Sequence, residues 1–224
     1  MNEISLSGNY THQLDVPSGR QHYNRYGKRG FDLALALLLL PVIVPAIAAL
    51  WLVIRCTGSR GFFGHTRVGR DGRPFTCWKL KTMTENAQSD LAAICANDPA
   101  LAAEWQINQK LTRDPRVTRL GGFLRATRLD EFPQIWNVLR GDMSFVGPRP
   151  FMTSQKAMYC TAGGAHYFLM RPGITGPWQL SDAGVSSFAT RIGFDDDYCL
   201  NMSFAEDLKY VLKTAFVIFR PGGC

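Results

Sequence analysis

Residues Arg125–Pro150 read RATRLDEFPQIWNVLRGDMSFVGPRP. Phe132, Ile135, Trp136 and Leu139 fall at i, i+3, i+4 and i+7, one apolar face of a helix. Asp130, Gln134 and Asn137 fall on the opposite face, with Glu131 flanking it. Pro133 is tolerated only in a first turn, so the helix is expected to begin near Leu129–Asp130. Gly141 is its natural C-terminal stop. Both acids would then sit at the positive end of a helix dipole, which favours their ionised forms. After a Gly141-Asp142 turn comes the rigid Gly147-Pro148-Arg149-Pro150.

An acid pair at a helix start is, taken alone, an ordinary first turn. Its company points further. Arg125 lies five residues before Asp130, Asp142 and Arg149 follow, and Lys79 and Lys81 offer more cations. Two carboxylates suit Mg²⁺, which takes few protein oxygens and completes its shell with water and substrate phosphate. Arginines supply planar donors that grip phosphate. A carboxylate is also a competent nucleophile that splits one hard transfer into two easier steps. Neither a Walker A loop nor GxGxxG is present, so the usual nucleotide-binding folds lack support.

Leu33–Ile54 contains no charged residue. As a continuous helix it would be about 33 Å long, enough to cross a hydrocarbon core of about 30 Å. It begins too late and runs too long for a cleaved signal peptide. A single spanning helix is one reading. Two features favour another. Pro41 and Pro45 sit mid-segment and are expected to kink or break the helix. Both flanks are basic: Arg20, Arg25, Lys28 and Arg29 precede the segment, and Arg55, Arg60, Arg67, Arg70 and Arg73 follow it. The positive-inside rule puts both ends on the cytoplasmic face, as a re-entrant helix requires. Asp32 is expected near headgroup depth, capping the helix or pairing with Lys28 or Arg29.

Elsewhere the chain reads as helix-rich α+β with a short β element. Residues 1–27 look like a flexible tail, 28–56 form the membrane helix, and 57–224 the catalytic domain. Arg70-Asp71-Gly72-Arg73 reads as a hairpin tip, and Pro74–Met83 as a strand carrying Lys79 and Lys81 on one side. Thr84–Lys110 reads as helix interrupted at Asn97-Asp98-Pro99, where Asp98 caps a second helix. Thr112–Arg119 is a basic loop, and Phe123–Arg128 a short helical piece. Asp195-Asp196-Asp197 reads as a solvated turn or cap. Ser203 and Glu206 form a capping box, opening a helix whose stripe of Leu208, Val211, Leu212, Ala215, Phe216 and Phe219 is expected to pack in the core, with the bilayer interface as the alternative.

The chain has 224 residues and a net charge of +7, which suits anionic partners: phosphate-bearing substrates, an acidic bilayer or nucleic acid. No recognisable nucleic-acid motif accompanies the charge. Six cysteines show no paired spacing, and the four histidines, His12 among them, are scattered. They suggest neither a zinc site nor a disulfide framework.

Several of these stretches run in one order: KRGFD (Lys28–Asp32), RVGRDGRPF (Arg67–Phe75), KLKTM (Lys79–Met83), DPRVTRLGGFLR (Asp114–Arg125), LDEFPQIWNVLRGDMSFVGPRP (Leu129–Pro150) and RPGITGPWQ (Arg171–Gln179). In this the chain resembles the bacterial sugar transferases, or monotopic phosphoglycosyl transferases, from about residue 28 onward. The resemblance implies transfer of a sugar 1-phosphate from a UDP-sugar to undecaprenyl phosphate with release of UMP, at the start of exopolysaccharide or other glycoconjugate synthesis. Asp130 would be the nucleophile, and Glu131 would help bind Mg²⁺ and serve as a base. Arg149, Arg125, Lys79, Lys81 and Arg171 would hold phosphates. It further implies a re-entrant membrane helix broken near Pro41 and Pro45, the bacterial inner membrane with the catalytic domain on its cytoplasmic face, and downstream glycosyltransferases as partners. The middle region looks most like the small exopolysaccharide-initiating members, which use UDP-galactose or UDP-glucose and lack additional N-terminal spanning helices. The chain departs from the pattern at Val44, where a serine before Pro45 is usual, at the extra Pro41, at Arg128, where serine is common, and at Gly122, where arginine is common. These departures leave open a non-catalytic membrane-associated adaptor of polysaccharide assembly.

Overall fold

The computed structural model describes residues 16–108, 111–181 and 188–218. The expectations for residues 1–15, Lys110, Phe219 and Cys224 lie outside these. Helix α1 (Ser18–His22) passes through a π-helical turn, Tyr23–Gly27, into helix α2 (Lys28–Cys56). The helical backbone continues through Pro41 and Pro45, so the expected break is replaced by an uninterrupted helix. Each proline withholds one N–H, whereas a broken helix among apolar residues would strand several polar groups.

The expected flexible tail is also corrected where it is described. Tyr23 Oη donates to Asp207 Oδ2 at 2.7 Å, and Asn24 Nδ2 to the Leu169 carbonyl at 3.0 Å. These residues pack because the base of α2 is a polar knot. Lys28 and Asp32 are fully buried. Lys28 Nζ lies 2.6 Å from Asp207 Oδ2 and 2.8 Å from Tyr198 Oη. Asp32 Oδ1 accepts from Ser144 Oγ and the Phe145 N–H, both at 2.9 Å, rather than capping α2 or pairing with its own basic neighbours. Arg29 reaches the Val138 and Leu139 carbonyls. At the other end, Ile54 is buried with Leu80 and Leu124, and the Trp51 ring stacks on Phe62. Both ends of α2 therefore dock on the same body. In between, Leu37, Leu38, Val42, Val44, Leu52 and Val53 are exposed.

Strands β1 (Phe62–Val68) and β2 (Pro74–Leu80) form the expected hairpin, antiparallel from Val68↔Pro74 to Phe62↔Leu80. Its tip takes positive φ at Asp71 and Gly72. Helices α3 (Ala87–Asn97) and α4 (Pro99–Asn108) follow, and Asp98 Oδ1 accepts from the Ala100 and Leu101 N–H groups as a cap should. Helix α5 (Arg119–Ala126) is capped by Thr118, and helix α6 is Gln134–Arg140. Strands β3 (Ser144–Val146) and β4 (Gly173–Thr175) pair in parallel, at three residues each too short to show a periodicity. The loops beside them approach so closely that a Cβ on Gly173 would lie 2.1 Å from the Gly147 nitrogen, which excludes any other residue there. With helices α7 (Lys156–Thr161), α8 (Arg191–Asn201) and α9 (Phe204–Ile218), the described residues form a helix-rich α+β fold with two small sheets.

Two expectations for the C-terminal part are corrected. The three aspartates lie inside α8, not in a solvated turn or cap. Asp195 is buried, accepting from Tyr159 Oη at 2.9 Å beside Arg191 Nε at 3.5 Å, and burial pushes its carboxyl up to about 6. Of the stripe residues described along α9, Leu208, Leu212, Ala215 and Phe216 are exposed, while Val211 packs against the core beside Tyr210. The hydroxyl of Ser203 does cap the helix, accepting from the Glu206 N–H at 3.3 Å.

The polar knot sets a stability test. Lys28→Met leaves the Asp207 carboxylate buried without its cation, a loss expected to cost about 3–5 kcal/mol. Thermal unfolding of the purified protein in detergent should register a large fall in Tm, whereas Lys209→Met, whose exposed pair with Glu206 lies on the same helix as Asp207, should leave Tm nearly unchanged.

Candidate active site

The hairpin's alternation assembles one wall of the site. In the observed register Phe63, His65 and Arg67 pair with Lys79, Cys77 and Phe75, so His65, Arg67, Cys77 and Lys79 share a face. That face meets the acid pair. Leu129–Glu131 forms a 3₁₀ turn ahead of Pro133, and α6 begins only at Gln134. The acids thus precede the helix rather than occupying its first α-helical turn, which corrects the expected start. The expected facing of α6 is corrected too. Gln134 and Asn137 are buried, while Trp136 is 56% exposed. The carboxamide of Asn137 explains the rotation: its Nδ2 donates to the Thr76 carbonyl at 2.7 Å and its Oδ1 accepts from the Trp78 N–H at 3.0 Å. Turning Asn137 inward satisfies β2 on its helix-facing side and turns Trp136 out.

Lys79 Nζ lies 2.6 Å from Glu131 Oε1 and 3.7 Å from Asp130 Oδ2. Arg149 Nη2 approaches Glu131 Oε1 at 3.5 Å from the other side. Arg67, Cys77, Lys79, Glu131, Gln134 and Arg149 line a polar cavity of about 50 Å³. Burial by itself would raise the Glu131 carboxyl; Lys79 and Arg149 outweigh it and hold the group at about 2. Asp130, next in the chain, moves the opposite way: burial raises it, and the Glu131 charge adds to the rise against Lys79, Arg125 and Arg149. Burial, with Arg67 and Lys79 nearby, lowers His65 to about 4, so its ring is neutral. The arrangement offers an ionised carboxylate, a second and more basic one, and three cations from separate stretches of chain. Such a set can hold phosphate oxygens and present a carboxylate to phosphorus.

Of the residues singled out in the sequence, Asp130, Glu131, Lys79 and Arg149 come together. Arg125 stands at the edge, donating from Nε to Thr82 Oγ1 at 2.9 Å while its charge reaches Asp130. Lys81 lies past the end of β2 and pairs with Glu85 at 2.6 Å, away from Lys79's partners. Arg171 donates to the Gly141 carbonyl at 3.0 Å, at the opposite end of α6 from the acids. Pro41 and Pro45 lie within α2, inside its continuous helical run. Arg67 and Cys77 were missed, although the hairpin tip at residues 70–73 already implied that His65 and Arg67 face Cys77. No cluster of three or more His, Cys, Asp or Glu forms among the described residues. Two adjacent carboxylates still fit the habit of Mg²⁺, which leaves most of its shell to water and phosphate, although an ion there would compete with Lys79 for Glu131.

The fold and site define a helix-anchored α+β protein with a buried acid pair ringed by cations. The chain belongs to the bacterial sugar transferase family, whose profile matches residues 23–221. It is 42% identical over 204 residues to the UDP-galactose-lipid carrier transferase of Erwinia amylovora, an alignment covering 91% of this chain and 42% of that protein. It is 42% identical over 188 residues to the exopolysaccharide production protein ExoY of Sinorhizobium fredii, covering 84% and 83% of the two chains. It is 34% identical over 201 residues to the UDP-glucose:undecaprenyl-phosphate glucose-1-phosphate transferase of Escherichia coli, covering 86% of this chain and 40% of that one. The chain thus spans less than half the length of the first and third of these relatives.

The opposite shifts of the two acids predict opposite effects on stability. Glu131→Gln removes a charge the fold favours and leaves Lys79 without its closest partner; a loss of about 1–3 kcal/mol is expected near neutral pH. That stabilisation is complete above the unfolded value, about 4.3, and is lost as pH falls through about 2. Asp130→Asn removes a charge the fold disfavours, so Tm should hold or rise near neutral pH. The advantage should fade as pH falls through the raised Asp130 value. Thermal unfolding of wild type and both variants from pH 2 to 8 measures the pair.

Proposed function

We propose that this protein transfers a sugar 1-phosphate from a UDP-sugar, UDP-galactose or UDP-glucose, to undecaprenyl phosphate, releasing UMP and starting the assembly of a polysaccharide. The observation that carries this reading is the divided acid pair: Glu131 ionised between Lys79 and Arg149, and the more basic Asp130 buried next to it. In the first step an Asp130 carboxylate oxygen attacks the sugar-bearing β-phosphorus. The bond from that phosphorus to the bridging oxygen breaks, and UMP leaves with the electron pair. In the second step a phosphate oxygen of the lipid attacks the same phosphorus, breaking the acyl phosphate bond and restoring the Asp130 carboxylate. Arg149 and Lys79 balance the phosphate charge in both steps, with Arg67 lining the same cavity. Bound through Asp130 and Glu131, Mg²⁺ would supply further neutralisation of the diphosphate. The names of the relatives, which include galactose and glucose lipid-carrier transferases, support the donor and acceptor classes.

The reading places α2 in the bacterial inner membrane as a re-entrant element, with the catalytic domain, residues 57–224, on the cytoplasmic side. Supporting it are the basic flanks and the docking of both helix ends on one body, through Lys28 and Asp32 at one end and Ile54 at the other. Pro41 and Pro45 then serve to bend a helix rather than interrupt it. The exposed stripe of α9 and the exposed Trp136 suit the bilayer interface better than a core.

Purified protein with Mg²⁺, undecaprenyl phosphate and a panel of UDP-sugars should release UMP, and Asp130→Asn should reduce turnover at least about a thousandfold. Normal turnover by that variant would remove Asp130 as nucleophile, and absence of UMP with every donor would leave the adaptor reading. Cysteines introduced at Ser18 and Arg60 in a background without native thiols should both label from the cytoplasmic side; labelling from opposite sides would refute the re-entrant topology.

A further inference from the structure

Arg128 has a left-handed backbone, φ 57° and ψ 14°, immediately before the acid turn. With Asp71 it is one of two non-glycine residues with positive φ among those described. Glycine adopts this conformation without the steric cost that a side chain brings. Arg128 therefore occupies a position where its side chain is conformationally unfavourable, and the side chain is engaged. Its Nη2 donates to the Gln179 carbonyl at 3.0 Å. Gln179 is buried, and its own Nε2 donates to the Gly173 carbonyl at 3.2 Å and the Gly147 carbonyl at 3.4 Å. Gly147 opens the loop that carries Arg149. Meanwhile the Arg128 carbonyl accepts from the Glu131 N–H at 3.2 Å. One residue thus touches the turn that bears the acids and, through Gln179, the crossing of the two loops that places Arg149.

We propose that Arg128 is a positioning residue of this site, a latch whose guanidinium ties the acid turn to the loop of residues 171–180 and so sets the acids against Arg149. The inference rests on the reading of Asp130 and Glu131 as the reaction centre. The latch acts through Gln179 rather than on substrate. A strained backbone that persists because its side chain is committed elsewhere is the pattern found where geometry must be held.

Two roles separate in the variant Arg128→Gly. As a turn former alone, Arg128 would be equalled or bettered by glycine in every measurement. As a latch it would not. Full-length protein in lipid nanodiscs should be compared as wild type, Arg128→Gly and Arg128→Lys by thermal unfolding, by amide hydrogen exchange and by UMP release. For Arg128→Gly the expected results are an equal or higher Tm, faster exchange in peptides spanning 129–133 and 176–181, and kcat lower by about tenfold with the UDP-sugar KM within about twofold. Arg128→Lys, which retains a donor of shorter reach, should recover part of the lost protection and kcat. Wild-type exchange and wild-type kcat in Arg128→Gly would overturn the latch. Faster exchange in Arg128→Gly together with a wild type that releases no UMP from any UDP-sugar would keep the latch and overturn the functional reading instead.

Discussion

The site depends on one buried carboxamide. Asn137 bonds β2 through the Thr76 carbonyl and the Trp78 N–H, and the turn after α6 through Asp142 Oδ2. Its backbone carbonyl accepts from three successive N–H groups, Gly141, Asp142 and Met143. The two bonds to β2 fix α6 against the strand that carries Lys79, and the others close the turn that ends the helix. A strand that slipped by one residue would turn Lys79 to the far face and bring Trp78 or Leu80 toward the acids. The salt bridge of Lys79 with Glu131 is therefore a consequence of register, and Asn137 holds the register. Such a group is valuable in the interior only when all its bonding capacity is met, and here both ends of the amide have partners.

On that frame two neighbouring carboxylates acquire different chemistry. Glu131 faces Lys79 and Arg149 directly and stays charged; Asp130 is as buried but is served by Lys79 only at 3.7 Å, with a like charge beside it. Adjacent acids with divergent affinities for protons are how a site assigns separate tasks to the same functional group. The cations arrive from β1, β2 and the loop after β3, so the cavity is a product of tertiary packing and not of any local motif.

Much of this was legible in the chain. The hairpin tip at 70–73, the Asp98 cap and the Gly141 stop are local, set by turn chemistry and capping that act over a few residues. The acid pair, Lys79 and Arg149 were legible as a set because charged residues cluster unusually around them. What could not be read was which way faces point and who meets whom at long range. Periodicity marks the apolar stripe of α6, but only Asn137's partners on β2 reveal that Trp136 faces out. The α9 stripe is likewise regular yet exposed, since amphipathic spacing is the same for a core and for an interface. Lys28 with Asp207, 179 residues apart, and Arg191 with Asp195 are charges buried by pairing, which composition treats as surface. Lys81 and Arg171 carry a phosphate-holding role only through the family resemblance; in the structure one pairs with Glu85 and the other bonds the Gly141 carbonyl at the end of α6.

Helix α2 is fastened at two places, and each fastening adjoins a working part. Ile54 packs on Leu80, the residue after Lys79. Asp32 holds the Phe145 N–H, two residues before Gly147 and the start of the arginine loop. The helix is therefore a splint bridging the cation strand and the arginine loop. A splint transmits load: any bending moment on its exposed middle is delivered as displacement to both walls of the cavity together. The flexural stiffness of one long helix, softened where Pro41 and Pro45 each remove a backbone bond, thus becomes a mechanical parameter of the site itself.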